Sequence, residues 1–389
     1  MTAAPAVLCL NAGSSSLKFS IYQDDDRARA EGAVEEIGRE GARAWIKRDG
    51  GAAEKISGRF ADHHAAVMAV FDLLARHALP EPAGVGHRLV HGGEAHAAPE
   101  RVTPALLAAL RRVIPLAPLH MPSGLAGVEA IAARYPAVPQ VVCFDTAFHR
   151  SLPDVARRLA LPSSLPPVAL RRFGFHGLSY EYVVSRLGAG SGRMVIAHLG
   201  NGASMAAVRD GRSVDTTMGL TPAGGFMMGT RTGDLDPGVL TYLMREAGYD
   251  ADRLDRLVNR ESGLLGVGGS ADMKTLLERG DHDPEAARAV AMFCYQARKT
   301  IGALAAALGG LDTLVFTGGI GERAAPVRAA ICEGLGHLGI TLDPGRNATH
   351  AETVSAPASP CVVRVVDTNE ELMIARHCRA VLFATPEAT

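Results

Sequence analysis

The sequence predicts an α/β protein built from two domains, and three observations carry that prediction. Strand-like apolar runs alternate with amphipathic helical stretches along the chain. At 389 residues the chain exceeds what one hydrophobic core ordinarily serves. One architecture also occurs twice, a strand, a Gly/Asn/Ser turn and a second strand, at residues 11–18 and again at 198–204. The repeat suggests an internal duplication, and two such turns in two domains could grip one polyphosphate from both sides.

In chain order, Val7-Leu8-Cys9-Leu10 and Phe19-Ser20-Ile21-Tyr22 flank the first turn as strands. Gly13 can take backbone angles closed to other residues, three serines offer hydroxyls, and Lys18 adds a cation. Such a turn suits a phosphate, and it suits a solvent-exposed serine-rich hairpin equally well. A Gly/Asp-rich turn lies near Asp49-Gly50-Gly51, and residues 62–79 read as an amphipathic helix stopped by Pro80 and Pro82. A short strand from Gly84 ends in Gly92-Gly93, helices near 104–113 and 123–135 bracket a loop at 116–120, and an apolar strand at 140–144 ends on Asp145. Residues 152–167 hold four prolines and read as a crossing between domains. A helix follows from about Ser179, then the second hairpin, then a glycine-dense loop at 220–234 of the kind more often functional or mobile than structural. Helices near 237–247, 252–259, 272–278 and 284–308 come next. A strand at 313–316 runs into Thr317-Gly318-Gly319-Ile320-Gly321-Glu322 and a helix from Pro326. A β-branched strand at 362–366 leads to Asp367-Thr368-Asn369-Glu370, which caps a final helix to about Leu382.

Composition narrows the function classes. Net charge is −1 and aromatics are 5%, so there is no electrostatic or stacking case for nucleic acid or an anionic membrane surface. Six scattered cysteines without a C-x-x-C pair fit a reducing cytoplasm better than a disulfide framework. No apolar run is long enough to span a bilayer, and the N-terminus does not read as a signal peptide.

Several motifs are matched only in part. Gly319-Ile-Gly321-Glu-Arg-Ala324 fits G-x-G-x-x-A between a strand and a helix, but it lies in the last quarter of the chain and the next acid, Asp343, comes too late to hold a ribose. It remains a nucleotide candidate as a glycine turn opening a helix. A second match, Gly266-Val-Gly268-Gly-Ser-Ala271, lacks a preceding strand, and the Walker pattern is absent. His87, His91, Glu94 and His96 imitate a zinc spacing, yet Arg88 stands where H-E-x-x-H needs glutamate. Arg111-Arg112 and Arg157-Arg158 read as solvated helix faces, and His63-His64 need no function. Arg88, Asp145, His176 and Arg231 differ, because each ends a strand or sits in a glycine-rich turn. Two arginines, a histidine and an aspartate suit phosphoryl transfer onto a carboxylate, which needs positioning and charge neutralisation. Any one of them alone could equally be a buried salt-bridge partner.

Taken in order, the segments 11–18, 86–94, 116–120, 144–149, 171–177, 198–204, 228–237, 317–322 and 368–376 resemble the acetate/propionate kinase family. That family belongs to the superfamily of sugar kinases, actin and heat-shock chaperone ATPases. The resemblance implies two ribonuclease-H-like domains related by duplication, with an interdomain nucleotide cleft. The first would span 1–150, completed by a C-terminal helix at 371–389; the second, nucleotide-binding, would span 151–370. It implies reversible transfer of the ATP γ-phosphoryl group to acetate, giving acetyl phosphate and ADP, with Mg²⁺ or in its place Mn²⁺. A propionate or other short-acyl kinase is the close alternative, and an actin- or chaperone-like ATPase the more distant one. A cytoplasmic homodimer without nucleic-acid or membrane partners is implied as well.

Carried over position by position, Asn11 and Glu370 would hold the metal and Lys18 would contact nucleotide phosphates. Arg88 would bind the substrate carboxylate, Asp145 would be the catalytic acid/base, and His176 and Arg231 would stabilise the transition state. His198-Leu199-Gly200-Asn201-Gly202, Asp272-Met273-Lys274 and Gly319-Ile320-Gly321-Glu322-Arg323 would line the ATP site. Val90, Leu119, Phe175 and Pro222 would form the methyl pocket. An ionised substrate carboxylate has no proton to give up, so Asp145 needs only to orient it. The chain departs from the family at Met121-Pro122-Ser123-Gly124, where Asn-Pro-Pro-Asn is usual, and at Leu178, Tyr180 and Gly225, where Thr, His and Glu are usual. It departs again at Lys274 and Arg323, in place of arginine and asparagine. These bear on acyl preference and on nucleotide affinity and base preference.

Overall fold

The computed structural model describes residues 4–384 apart from 14, 24, 163 and 166–169. Ser14 of the opening turn, Pro166 and Pro167 of the proline-rich stretch, and the tail 385–389 therefore lie outside the described residues. The chain divides into two compact units, residues 1–147 with 369–389, and residues 148–368.

In the first unit, β1 (Val7–Ala12), β2 (Ser16–Tyr22), β3 (Ala28–Glu35), β4 (Arg43–Arg48) and β5 (Ala53–Ser57) form a meander followed by α1 (His63–Arg76). Then come β6 (Gly84–Leu89), β7 (Glu100–Arg101), α2 (Pro104–Arg111), α3 (Met121–Arg134) and β8 (Gln140–Phe144). Every residue of β1 is buried, as expected of a strand paired on both sides, antiparallel to β2 and parallel to β6. The eight-stranded sheet runs β5-β4-β3-β2-β1-β6-β8-β7. Asp62 caps α1 by accepting from the Ala65 N–H, and the helix ends ahead of Pro80.

The second unit holds α4 (Asp154–Arg157), α5 (Gly177–Leu187), β9 (Arg193–Leu199), β10 (Ala203–Arg209), β11 (Arg212–Thr216), α6 (Pro237–Glu246), α7 (Ala251–Arg260) and α8 (Gly263–Gly268). It continues with α9 (Met273–Arg279), α10 (Pro284–Leu308), β12 (Thr313–Thr317), α11 (Gly318–Arg323), α12 (Ala325–Cys332), α13 (Pro344–Ala348) and β13 (Val362–Val365). The last helix, α14 (Glu370–Phe383), belongs to the first unit and packs on β1, β6 and β8. Gly86 makes that packing possible: a Cβ there would stand 2.4 Å from Ile374 Cγ2.

The second sheet runs β11-β10-β9-β12-β13. Its pattern repeats β3-β2-β1-β6-β8 strand for strand, with an antiparallel meander followed by two parallel strands. This is the duplicated ribonuclease-H-like arrangement. One local reading needs correction. The glycines after β12 are the first turn of α11 rather than a loop before a later helix, with Gly318 at φ +75° at the junction. The second G-x-G-x-x-A match falls on and just past α8, so it opens no strand–turn–helix unit.

Candidate active site

In the first unit the candidate side chains gather where parallel strands end. Asn11 on β1 and Arg88 on β6 are register partners, and Asp145 directly follows β8. Arg88 grips Asp145 with two bonds, Nε to Oδ1 at 2.9 Å and Nη2 to Oδ2 at 2.5 Å, and donates from Nη1 to Asn11 Oδ1 at 3.0 Å. Asn11 Nδ2 donates to Glu370 Oε2 at 3.0 Å and Glu371 Oε1 at 3.1 Å, both at the head of α14. Burial works against the Arg88 charge, but Asp145 and Glu370 outweigh it and raise the guanidinium above its ordinary range. Burial, with Glu370 beside it, pushes the Glu371 carboxyl up as well. Glu371 is a member of this cluster that the sequence reading missed; its only signal was adjacency to Glu370. Lys18 is exposed on β2 directly opposite Asn11.

The second unit arranges its groups around the β9–β10 turn. His176 caps α5 in the left-handed region at φ 58° and follows Gly174, also at positive φ. Its ring stacks on His198 of β9, centroids 4.3 Å apart and 20° from parallel. A Cβ on Gly202 would lie 3.4 Å from both His176 Nε2 and Arg231 Nη1, so both side chains converge on that turn. Arg231 Nη1 donates to Pro222 O at 3.1 Å and reaches Met228 Sδ at 3.7 Å. The glycine-dense loop that carries Arg231 is tied down by its backbone. Gly229 N–H donates to Asn201 O, Leu264 N–H to Met228 O and Ser262 N–H to Thr230 O.

The other nucleotide candidates lie in the same unit. Leu199 is buried at the end of β9, ahead of Gly200 and Asn201. Asp272 caps α9, accepting from the Lys274 and Thr275 N–H groups, and the Thr275 hydroxyl leads the causes that hold its carboxyl below the usual range. Met273 is buried, whereas Lys274 is exposed, 3.8 Å from Glu278. Gly319, Ile320, Gly321 and Arg323 belong to α11, and Glu322 Oε1 accepts from the Gly318 and Thr368 N–H groups. Burial pushes the Glu322 carboxyl up despite those bonds. Of the apolar candidates, Val90 and Leu119 fall in the first unit and Phe175 and Pro222 in the second.

In the histidine cluster at 87–96, His96 Nδ1 lies 2.9 Å from Glu100 Oε1. His87 is buried against Gln140 Oε1 at 2.7 Å, and burial lowers it to about 4. Among the described residues no group of three or more His, Cys, Asp or Glu could hold a metal ion. His63 bonds Gly13 O at 2.8 Å and so fixes the first turn. Arg157, expected on a solvated face, instead donates to the carbonyls of Arg150 and Leu152.

Glycine turns at strand ends, oxygen-rich side chains and fixed guanidinium groups are the equipment of phosphoryl transfer, and on this duplicated fold they define a phosphotransferase. The chain belongs to the acetokinase family, whose model matches residues 6–376. It is 46% identical over 387 residues to an acetate kinase of Rhodopseudomonas palustris, covering 95% of this chain and 97% of that one. The solved acetate kinase of Porphyromonas gingivalis superposes with a TM-score of 0.88 at 39% identity, over 97% of this chain and 100% of that one. A propionate kinase from Francisella tularensis superposes with a TM-score of 0.91 at 33% identity, with the same coverage of both chains. The acceptor of this phosphotransferase is a carboxyl group.

Proposed function

We propose that the enzyme makes acetyl phosphate and ADP from acetate and ATP, reversibly and with magnesium, using both sets of side chains on one phosphoryl group. An acetate oxygen bonds to the γ-phosphorus as the bond to the β,γ-bridging oxygen breaks, and ADP leaves with that electron pair. No proton need move, because acetate enters ionised. Arg88 meets the acetate carboxylate with its remaining N–H donors, and Asp145 holds the guanidinium in place. His176 and Arg231 donate to the oxygens of the transferring group. Their convergence on Gly202 is the observation that carries the reading. Lys18, the 198–202 turn, Asp272 to Lys274 and Gly319 to Arg323 hold the nucleotide, and Val90, Leu119, Phe175 and Pro222 receive the methyl group.

Magnesium keeps several waters and phosphate oxygens of its own, so a pair of protein donors suits it, and Glu370 beside Asn11 fits that need. Asn11 faces Glu370 with Nδ2, so its oxygen reaches a metal only with the amide turned. Bound there, the metal would neutralise charge on the nucleotide's phosphate oxygens.

A homodimer is supported by α6, which buries none of its side chains and exposes Val239, Tyr242 and Met244. A cytoplasmic location is supported by six free, buried cysteines, and no helix among the described residues is long and apolar enough to cross a membrane.

Acyl hydroxamate formed from ATP with acetate, propionate or butyrate in parallel tests the reaction, with the highest kcat/KM expected for acetate. ATP hydrolysis without any hydroxamate would overturn the kinase reading. Propionate is the second reading, favoured by the likeness to the Francisella propionate kinase. One methylene in an apolar pocket separates substrates by only about 1–3 kcal/mol.

A further inference from the structure

The first turn of α5 reaches two imidazoles, one directly through Ser179 and one through the Ser204 hydroxyl of β10. Ser204 Oγ lies 2.8 Å from His176 Nδ1 and also bonds the Tyr180 hydroxyl. Ser179 Oγ lies 2.9 Å from His198 Nδ1 and accepts from Thr368 Oγ1 at 2.8 Å. Ser204 and His198 are themselves cross-strand partners, so the two chains of bonds run side by side beneath the stacked rings. Ser179, Tyr180 and Ser204 are fully buried.

Proton bookkeeping gives these chains a direction. A phenol is a stronger hydrogen-bond acid than an alcohol, so Tyr180 donates to Ser204, whose own proton is then directed at His176 Nδ1. Thr368 donates to Ser179, which likewise turns its proton to His198 Nδ1. An imidazole that accepts at Nδ1 carries its proton at Nε2 when neutral. The Nε2 atoms lie 3.4 Å and 3.9 Å from where Cβ atoms on Gly202 and Gly200 would stand, so both N–H groups sit along the turn.

We infer that Tyr180–Ser204 and Thr368–Ser179 are positioning pairs that hold His176 and His198 as stacked Nε2–H tautomers, two neutral donors aimed at the phosphoryl group. The aim at phosphoryl rests on the reaction proposed above; the tautomers do not. Tyr180 stands where the family usually has histidine, so this chain builds one relay with a phenol.

Nitrogen-15 NMR of histidine-labelled full-length enzyme reads the tautomers without substrate, with signals assigned by His176→Gln and His198→Gln. Both rings should show Nε2–H, and Ser204→Ala should turn His176 into a tautomer mixture. The same variant should lower kcat by about 10–100-fold, the cost that losing an orienting partner has for metal-bound histidines, with little change in KM. Ser204→Thr should restore both, and Tyr180→Phe should give a smaller kcat loss with an unaltered melting curve. An Nδ1–H ring at His176 in the wild type, or a Ser204→Ala enzyme with unchanged tautomer and kcat, would overturn the inference. If the NMR result holds but no acyl phosphate forms, the fault lies with the proposed reaction and not with the relay.

Discussion

The two units share one five-stranded strand order yet surround their candidate side chains with different partners. In the first, full charges meet: Arg88 is locked to Asp145, Asn11 bridges to Glu370 and Glu371, and each charge depends on its neighbour. In the second, hydroxyls bond the imidazole nitrogens, and a carbonyl and a thioether are among the partners of Arg231. An ion pair spends much of its field on its own partner, whereas neutral acceptors orient a cation at less expense to its field. The duplication therefore supplied a common frame, and the strand ends diverged, one unit carrying an Arg–Asp ion pair there and the other carrying imidazoles bonded by hydroxyls.

Breaking the second unit's set should cost most in rate. Arg231→Ala is expected to lower kcat by about 10³–10⁵-fold, the range for an arginine acting on a transferring phosphoryl group, with the thermal melt unchanged. Steady-state hydroxamate kinetics beside a melting curve checks both halves of that statement. A loss confined to KM would place Arg231 in ground-state binding instead. Breaking the ionic side should show up in stability as well as rate. Asp145 is fully buried and Arg88 nearly so, and stripping one member from such a pair costs about 3–5 kcal/mol. Asp145→Ala should therefore lower the denaturant midpoint strongly and raise KM for acetate, because Arg88 loses the group that aims it. Unchanged stability would mean that the pair is solvated in solution.

The contrast also marks what the sequence could disclose. Strand ends, glycine turns and the repeat were legible because they follow from local periodicity and backbone freedom, and the helix expected near 284–308 is α10, Pro284–Leu308. Arg88, Asp145, His176 and Arg231 stood out because charged groups next to strand-end glycines are conspicuous. Ser179, Ser204, Thr368 and Glu371 were silent. A buried hydroxyl declares its role only through a partner far away in the chain, as Thr368 does with Ser179 across 189 positions. The helical start of α11 was hidden for a related reason, since glycines signal a turn locally, and the helix they open packs against the end of β9.

Each unit also buries an imidazole that burial holds neutral, which gives the smallest and most even-handed test. Burial lowers His87 in the first unit and His149 in the second from 6.5 to about 4. His87 is held by Gln140; His149 is held by Ser213 Oγ at 2.8 Å and Phe175 O at 3.0 Å. With the folded pKa below the unfolded one, the unfolded chain binds more protons between these values. The stabilisation is therefore complete above about pH 6.5 and is lost as pH falls to about 4. Each ring should account for on the order of 3 kcal/mol, from 1.36 kcal/mol per pKa unit. Glu371 and Glu322 work in the opposite sense, because their raised carboxyls take up protons more readily when folded. Comparing variants isolates the histidines from them. Trp45, the single tryptophan, lies on β4, so its fluorescence follows the first unit while circular dichroism follows both. His87→Asn should flatten the acid dependence of the fluorescence-detected denaturant midpoint, and His149→Asn should flatten that seen by circular dichroism. A dependence from pH 6.5 to pH 4.5 that is the same in each variant as in the wild type would show that neither imidazole is held neutral by its unit.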